Sequence, residues 1–202
     1  MKKLQVSILA ISALGILIII GLLTNDLLKS NPEPEQALAT PMLSIEYDLI
    51  NQDGKPTTQR DFEGRYQLVY FGFAFCPDIC PFTLDIMSEA LNQIGDRADI
   101  IQPIFISLDP ARDTPNELAT YIDGFFPGFI ALTGTDAQVA AAAKSFKVYF
   151  QRVDDPSSAG GYVIDHSSIV YVINPDGDLV HFFTHKDTAE SIATKLNALL
   201  SK

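Results

Sequence analysis

The chain of 202 residues has no tryptophan, three histidines, three methionines and only two cysteines, Cys76 and Cys80. Two thiols cannot supply the several bridges of a disulfide-built scaffold, so the fold must rest on a hydrophobic core, which a chain of this length can bury. Positive charge is also scarce: 14 lysines and arginines face 25 aspartates and glutamates, a formal net charge of −11. That field repels a phosphate backbone and excludes a protein that tracks nucleic acid. Acidity names no partner by itself, and solubility accounts for it. No internal repeat and no second domain are visible.

Long apolar runs are rare too, with a single instance. Lys2 and Lys3 precede the stretch from Leu4 to Leu23, which is interrupted only by Gln5, Ser7 and Ser12. Roughly 20 residues at about 1.5 Å each cross a ~30 Å hydrocarbon core. A cleaved signal sequence has a shorter apolar segment with a small-x-small site close behind it. Here Ala37-Leu38-Ala39 lies well past Leu23, beyond a proline-bearing polar stretch. Residues 4–23 are therefore expected to stay as a single-pass transmembrane anchor. The positive-inside rule then leaves residues 1–3 cytoplasmic and the domain on the other side. Residues 24–42 include KSNPEPEQALATP, with three prolines, two glutamates and no aromatic side chain. Such a segment buries too little apolar surface to order itself and is expected to be a flexible tether. The globular domain is expected over residues 43–202.

Within that domain, LSIEYDLINQDGKPTT alternates around a Gln-Asp-Gly turn and predicts a hairpin. The run from Gln67 to Phe73 is short, apolar and rich in β-formers, as a buried central strand is. PFTLDIMSEALNQIG places Leu84, Met87, Leu91 and Ile94 at helical spacing, with Pro81 in the first turn and Gly95 as a stop. A second buried strand from Ile100 to Leu108 completes a β-α-β unit with parallel strands, which predicts an α/β sheet. Thr114 with Glu117 and Thr135 with Gln138 read as capping boxes for two further helices, and Asp187 with Glu190 caps the last one. VYFQRV and SSIVYVI read as strands joined by a mobile connection, DDPSSAGGYVIDH. Asn174-Pro175-Asp176-Gly177 turns the second of these into LVHFF.

Both cysteines sit in FGFAFCPDICPFT, each followed directly by proline, between the end of a core strand and the start of a helix. Open α/β sheets expose ligand sites at that position. Unpaired helix amides lower thiol pKa values there, so both sulfurs are expected to be improved nucleophiles and metal ligands. The three intervening residues suit either a disulfide or a metal bite. A purely stabilising disulfide is chemically admissible in an exported domain, but closing so small a loop removes little unfolded-chain entropy. A redox or metal role is therefore favoured.

His166, in YVIDHSS, is a possible third ligand whose ring Asp165 and Ser167 are placed to orient. His181 and His185 form an H-x₃-H pattern in what reads as a strand. Four residues of strand span roughly 13 Å, against metal–nitrogen bonds of about 2 Å, so the two cannot share one ion and are expected at a surface or edge. Asp109, Arg112 and Asp113, in SLDPARDTP, follow the second core strand. They read as turn and cap chemistry, with Arg112 paired to a carboxylate and Asp109 near the cysteine loop but not a ligand.

Three stretches, FGFAFCPDICP, SLDPARDTP and YVIDHSS, resemble in order the motifs of the Sco/SenC family, membrane-anchored thioredoxin-like proteins involved in copper delivery to cytochrome c oxidase. The resemblance extends over roughly Leu43 to Leu200. Phe73 and Ala74 stand where the family often has tyrosine and threonine, and Ala111 where glutamate is frequent. The resemblance implies a thioredoxin-like fold with a central mixed β-sheet flanked by helices. It further implies one copper ion held by Cys76, Cys80 and His166, with the His166 loop in place of the cis-proline of thioredoxins. Two thiolates and an imidazole suit Cu(I) and tolerate Cu(II), whereas closed zinc sites usually take a fourth protein ligand.

The implied partners are the copper-site subunit of cytochrome c oxidase and, alongside it, periplasmic copper chaperones or thioredoxin-like reductants. The implied place is a bacterial inner membrane with the domain in the periplasm. Two rivals share the framework. One is a thiol-disulfide oxidoreductase that uses Cys76 and Cys80 to reduce the oxidase copper-site cysteines, and the other is a thiol peroxidase.

Overall fold

The computed structural model describes residues 45–158 and 160–201. The expected cytoplasmic residues 1–3, anchor at 4–23 and tether at 24–42 lie outside the described residues. Among the described residues no helix is long and apolar enough to cross a membrane.

The first hairpin forms as the sequence predicts, from β1 (Asp48–Asn51) and β2 (Pro56–Thr58) paired antiparallel. Asn51 Oδ1 accepts the amides of Asp53 and Lys55 across the turn. Two core strands follow, β3 (Tyr66–Gly72) and β4 (Ile101–Ser107), in parallel register from Tyr66 opposite Ile101 to Gly72 opposite Ser107. Every residue of β4, and all of β3 after Tyr66, is buried. Cover on both faces explains why these strands read as continuous apolar runs and not as alternation.

Between them, α1 (Ile79–Ile94) buries Cys80, Leu84, Met87, Leu91 and Ile94 along one stripe and ends at Gly95, whose φ of 67° suits a residue without a side chain. The helix starts at Ile79, which puts Pro81 in the first turn as expected and Cys80 beside it.

Thr114 caps α2 (Pro115–Ile122) by accepting the Glu117 amide. The strand β5 (Ile130–Thr133) then runs parallel to β4 and antiparallel to β1. A reciprocal box between Thr135 and Gln138 opens α3 (Asp136–Ser145).

The next segment departs from the sequence reading. β6 (Phe150–Asp154) is followed by β7 (Tyr162–His166), paired antiparallel to it from Phe150 opposite His166 to Asp154 opposite Tyr162. The expected mobile connection is therefore half strand. Glycine, serine and aspartate crowd only its turn, while Tyr162 and Ile164 alternate inward as strand residues do.

Strands β8 (Ile169–Ile173) and β9 (Leu179–Thr184) close the chain's second large hairpin, and α4 (Ala189–Leu199) packs on α1. Thr188, with Ser191 opposite, caps α4 in place of the expected Asp187. The Asp187 carboxylate is turned back to the amide and hydroxyl of Thr184. Together the strands make one seven-stranded mixed sheet in the order β2-β1-β5-β4-β3-β8-β9 and a separate two-stranded sheet of β6 and β7.

The stripe of α1 anchors the helix that carries the second cysteine. Leu84 is fully buried, and a Leu84→Ala substitution is expected to cost about 2–5 kcal/mol, measurable as a lowered urea midpoint at unchanged m-value.

Candidate functional site

Strand β3 ends at Gly72 and feeds a short loop, residues 73–78, that carries Cys76 into α1. A side chain at residue 72 would place its Cβ 2.8 Å from Cys80 Sγ, 3.0 Å from the Phe105 ring and 3.1 Å from the Tyr70 ring. The sulfur of Cys80 occupies that space. Cys80 is 0% exposed and Cys76 half-buried, and both are free thiols. The Tyr70 hydroxyl, itself buried, points its proton at Cys80 Sγ from 3.8 Å.

His166, 86 residues further along the chain, reaches the same spot, with Nε2 3.5 Å from Cys80 Sγ. Its ring is held edge-on between Tyr70 and Phe73, each with a centroid separation of 6.1 Å. The other ring nitrogen, Nδ1, lies 3.2 Å from the Ser167 carbonyl. A carbonyl only accepts, so Nδ1 donates this hydrogen bond, which fixes the ring with Nε2 facing the sulfur. Ser167 therefore orients the ring as expected, through its backbone, while Asp165 is exposed.

The two sulfurs are not equivalent. Cys76 is lowered to about 5, first by the hydrogen bond it accepts from the Cys80 thiol, then by the amides of Asp78 and Cys80 and the nearby His166, against opposition from burial. The Cys80 amide in the first turn of α1 lies 3.5 Å from Cys76 Sγ. The Cys80 thiol is pushed up, because it donates to Cys76 and because it is buried. The expectation that both sulfurs favour thiolate thus holds for Cys76 alone: one helix terminus stabilises the outer sulfur, and the shared proton stays on the inner one.

The SLDPARDTP segment frames the site. Asp113 is fully buried and accepts the Ala74 amide at 2.9 Å and the Ser107 hydroxyl at 2.6 Å, which ties the cysteine loop to the end of β4. Burial raises its carboxyl above the ordinary range, with the hydrogen bonds from Ser107 and Ala74 working against that rise. Asp109 pairs with Arg112 and accepts the Tyr162 hydroxyl at 2.8 Å. The ion pair of Arg112 is as read from the sequence, whereas Thr114 alone caps the next helix and Asp113 is turned instead to the cysteine loop.

His181 lies on β9, the edge strand of the large sheet, and the exposed His185 lies just past its end. Tyr70, Gly72 and Tyr162 were not singled out in the sequence. Gly72 alone carried a signal, since a glycine inside a buried strand marks a close approach. Cys80 is the shared member of the contacts made so far, and among the described residues no three His, Cys, Asp or Glu side chains are already gathered as a closed metal site.

A mixed sheet with a cysteine pair between a central strand and a helix, met by an imidazole from a separate hairpin, defines a thioredoxin-like protein with a thiol–imidazole site. The chain belongs to the SCO1/SenC family, whose family model matches residues 35–201. It is 37% identical to Protein sco1 of Schizosaccharomyces pombe over 84% of this chain, but spans only 65% of that relative's length. It is 35% identical to the SCO2-like protein of Rickettsia felis, over 93% of this chain and 96% of that one. Among solved structures it is similar to Bradyrhizobium japonicum ScoI with copper bound, at 37% identity and a TM-score of 0.69, covering 76% of this chain and 96% of that one.

Two measurements check the site. Alkylation of the reduced protein by iodoacetamide is expected to label Cys76 before Cys80, with a rate that rises through an inflection near pH 5, the value to which Cys76 is lowered. Equal labelling, or an inflection near the free-thiol value, contradicts the assignment. Gly72→Ala is expected to destabilise by about 1–3 kcal/mol and to raise Cys80 alkylation, as the sulfur is pushed from its seat.

Proposed function

We propose that this protein is a copper chaperone that takes one copper ion as cargo on Cys76, Cys80 and His166 and passes it to the dinuclear copper site of cytochrome c oxidase during assembly. The observation that carries this reading is the 3.5 Å approach of His166 Nε2 to Cys80 Sγ. Metal–sulfur and metal–nitrogen bonds of roughly 2.3 and 2.0 Å at a near-tetrahedral angle span about that distance, so the pair fits around an ion with little movement. The donor set is soft and open, as suits Cu(I) held for transfer. Membership of the SCO1/SenC family, and the copper held by the similar Bradyrhizobium japonicum protein, support the cargo.

Oxidation of Cys76 and Cys80 to a disulfide releases two electrons and the one proton that the pair shares and removes both sulfur ligands, so loading requires the reduced pair. Delivery proceeds by ligand exchange, with acceptor cysteines displacing the three ligands stepwise. Residues 4–23 would anchor the domain to a bacterial inner membrane, facing the periplasm on the tether of residues 24–42. The lysines ahead of that run support this orientation.

One observation favours a second reading. A low-pKa, half-exposed Cys76 beside a buried Cys80 is the arrangement of an attacking and a resolving thiol, as in an oxidoreductase that reduces the acceptor's cysteines.

Cu(I) titration of the full chain, purified in detergent and reduced anaerobically, separates the two. Under the chaperone reading the endpoint is near one equivalent; it is lost in Cys76→Ser and Cys80→Ser, and in His166→Ala only a two-thiolate complex remains, which a chelator empties far faster than the wild type. Under the reductase reading, His166→Ala keeps full reduction of a disulfide acceptor while both cysteine variants are dead. A His166→Ala protein that binds Cu(I) as the wild type does overturns the chaperone reading.

A further inference from the structure

The β6–β7 hairpin carries His166 at its end yet shares no ladder with the seven-stranded sheet. A two-stranded ribbon is marginally stable by itself, so side chains must fix where His166 sits. The contacts converge on Tyr162, at the start of β7. Its hydroxyl donates to Asp109 Oδ1 at 2.8 Å, and its carbonyl accepts from Arg112 Nη1 at 3.2 Å. The Arg112 guanidinium carbon lies 3.7 Å from the centre of its ring, and that of Arg152, on β6, lies 3.6 Å from it. Two groups at that height fit only on opposite faces, so the ring is stacked between two cations.

Arg112 also touches the other half of the site. Its guanidinium lies 4.9 Å from the Phe75 ring centre and 5.8 Å from that of Phe73, the two aromatics just before Cys76. Its Nε pairs with Asp109 Oδ2, so both oxygens of that buried carboxylate are engaged, one by each side of the joint. At Gly160, in the turn before β7, any side chain would collide with Arg112 Nη1.

We propose that Asp109, Arg112 and Tyr162 form a strut that clamps the His166 hairpin to the cysteine loop, making Arg112 and Tyr162 positioning residues that set how firmly His166 holds the cargo. The consequence for copper rests on the chaperone reading above; the mechanical role does not. Loosening the strut lowers the fraction of molecules with His166 within bonding distance of Cys80, and apparent affinity falls by that fraction.

Tyr162→Phe is the informative change, because it removes one hydrogen bond to a buried carboxylate and keeps both stacked faces. Arg112→Lys is the stronger one: it keeps the charge but loses the planar fork and the stacking. Two readouts on the full chain in detergent decide the proposal. In the metal-free protein, amide hydrogen exchange across residues 162–166 is expected to quicken about tenfold in Tyr162→Phe and more in Arg112→Lys, while β3 and β4 stay protected. In the Cu(I)-loaded protein, release to a chelator is expected to quicken by a similar factor in Tyr162→Phe, and to change no further when Tyr162→Phe is added to His166→Ala.

Unchanged exchange in the hairpin overturns the strut. So does an equal effect of Tyr162→Phe on copper release with and without His166, because the residue would then act by loosening the whole domain. If His166→Ala leaves copper release unchanged, the chaperone reading fails, and hydrogen exchange in the metal-free protein still decides whether the strut exists.

Discussion

The sulfur of Cys80 rests against a backbone, and the site is built outward from that contact. Gly72 ends a fully buried stretch of β3, and the space a side chain would fill there belongs to Cys80 Sγ, with Tyr70 and Phe105 on either side. The packed interior on three sides leaves the sulfur no alternative position. Direction then follows: Cys76 must lie one turn outward at the mouth of α1, and an imidazole can reach Cys80 only from the side that the cysteine loop leaves open. That side is where β7 ends, and His166 fills it with its ring edge-on to Tyr70 and Phe73.

Two buried carboxylates, four residues apart, hold the two sides of this arrangement. Burying charge is costly unless it is paired, and neither Asp109 nor Asp113 is spent on chemistry. Asp113 takes the amide of Ala74 in the cysteine loop, and Asp109 takes Arg112 and the hydroxyl of Tyr162 in the hairpin. Their common origin at the exit of β4 means that one rigid strand end references both the thiols and the imidazole. Asp113 Oδ1 and Arg112 Nη2 are buried without a partner among the described residues. Those two atoms mark where the cost of the arrangement is carried.

What the sequence disclosed follows from how local each signal is. The core strands, the stripe of α1 and the Thr114 and Thr135 caps were legible because periodicity and capping are set within a few residues. So were the cysteine pair and, through resemblance, His166. β7 was not, because glycine and serine in its turn masked an alternation only five residues long. The cap of α4 was misread by one residue: Asp187 and Thr188 both suit an N-cap, and only the position of Thr184 decides between them. The inequality of the two thiols was illegible as well. Spacing places both at a helix start, but which one is sealed depends on Gly72, Tyr70 and Phe105, brought there by the sheet. Tyr162 gave no local signal, since its importance lies in partners 50 and 53 residues away.

The unequal thiols also set an order of events for the proposed cargo. A soft cation approaching from solvent meets Cys76 first, because that sulfur is the more exposed and the one already stripped of its proton. Cys80 must then yield the proton that it shares with Cys76, so loading expels a proton from the interior. His166 is already placed, with Nδ1 donating to the Ser167 carbonyl and Nε2 facing the inner sulfur. Under the proposed function unloading would run the other way, with an acceptor thiolate meeting the more exposed Cys76 first and the buried Cys80 sulfur taking back a proton from the incoming thiol. The hydrogen bond to Cys76 and the burial that together raise the Cys80 thiol would then bias the proposed cargo toward release, and that burial comes with the same close approach to Gly72 that fixes the sulfur in place.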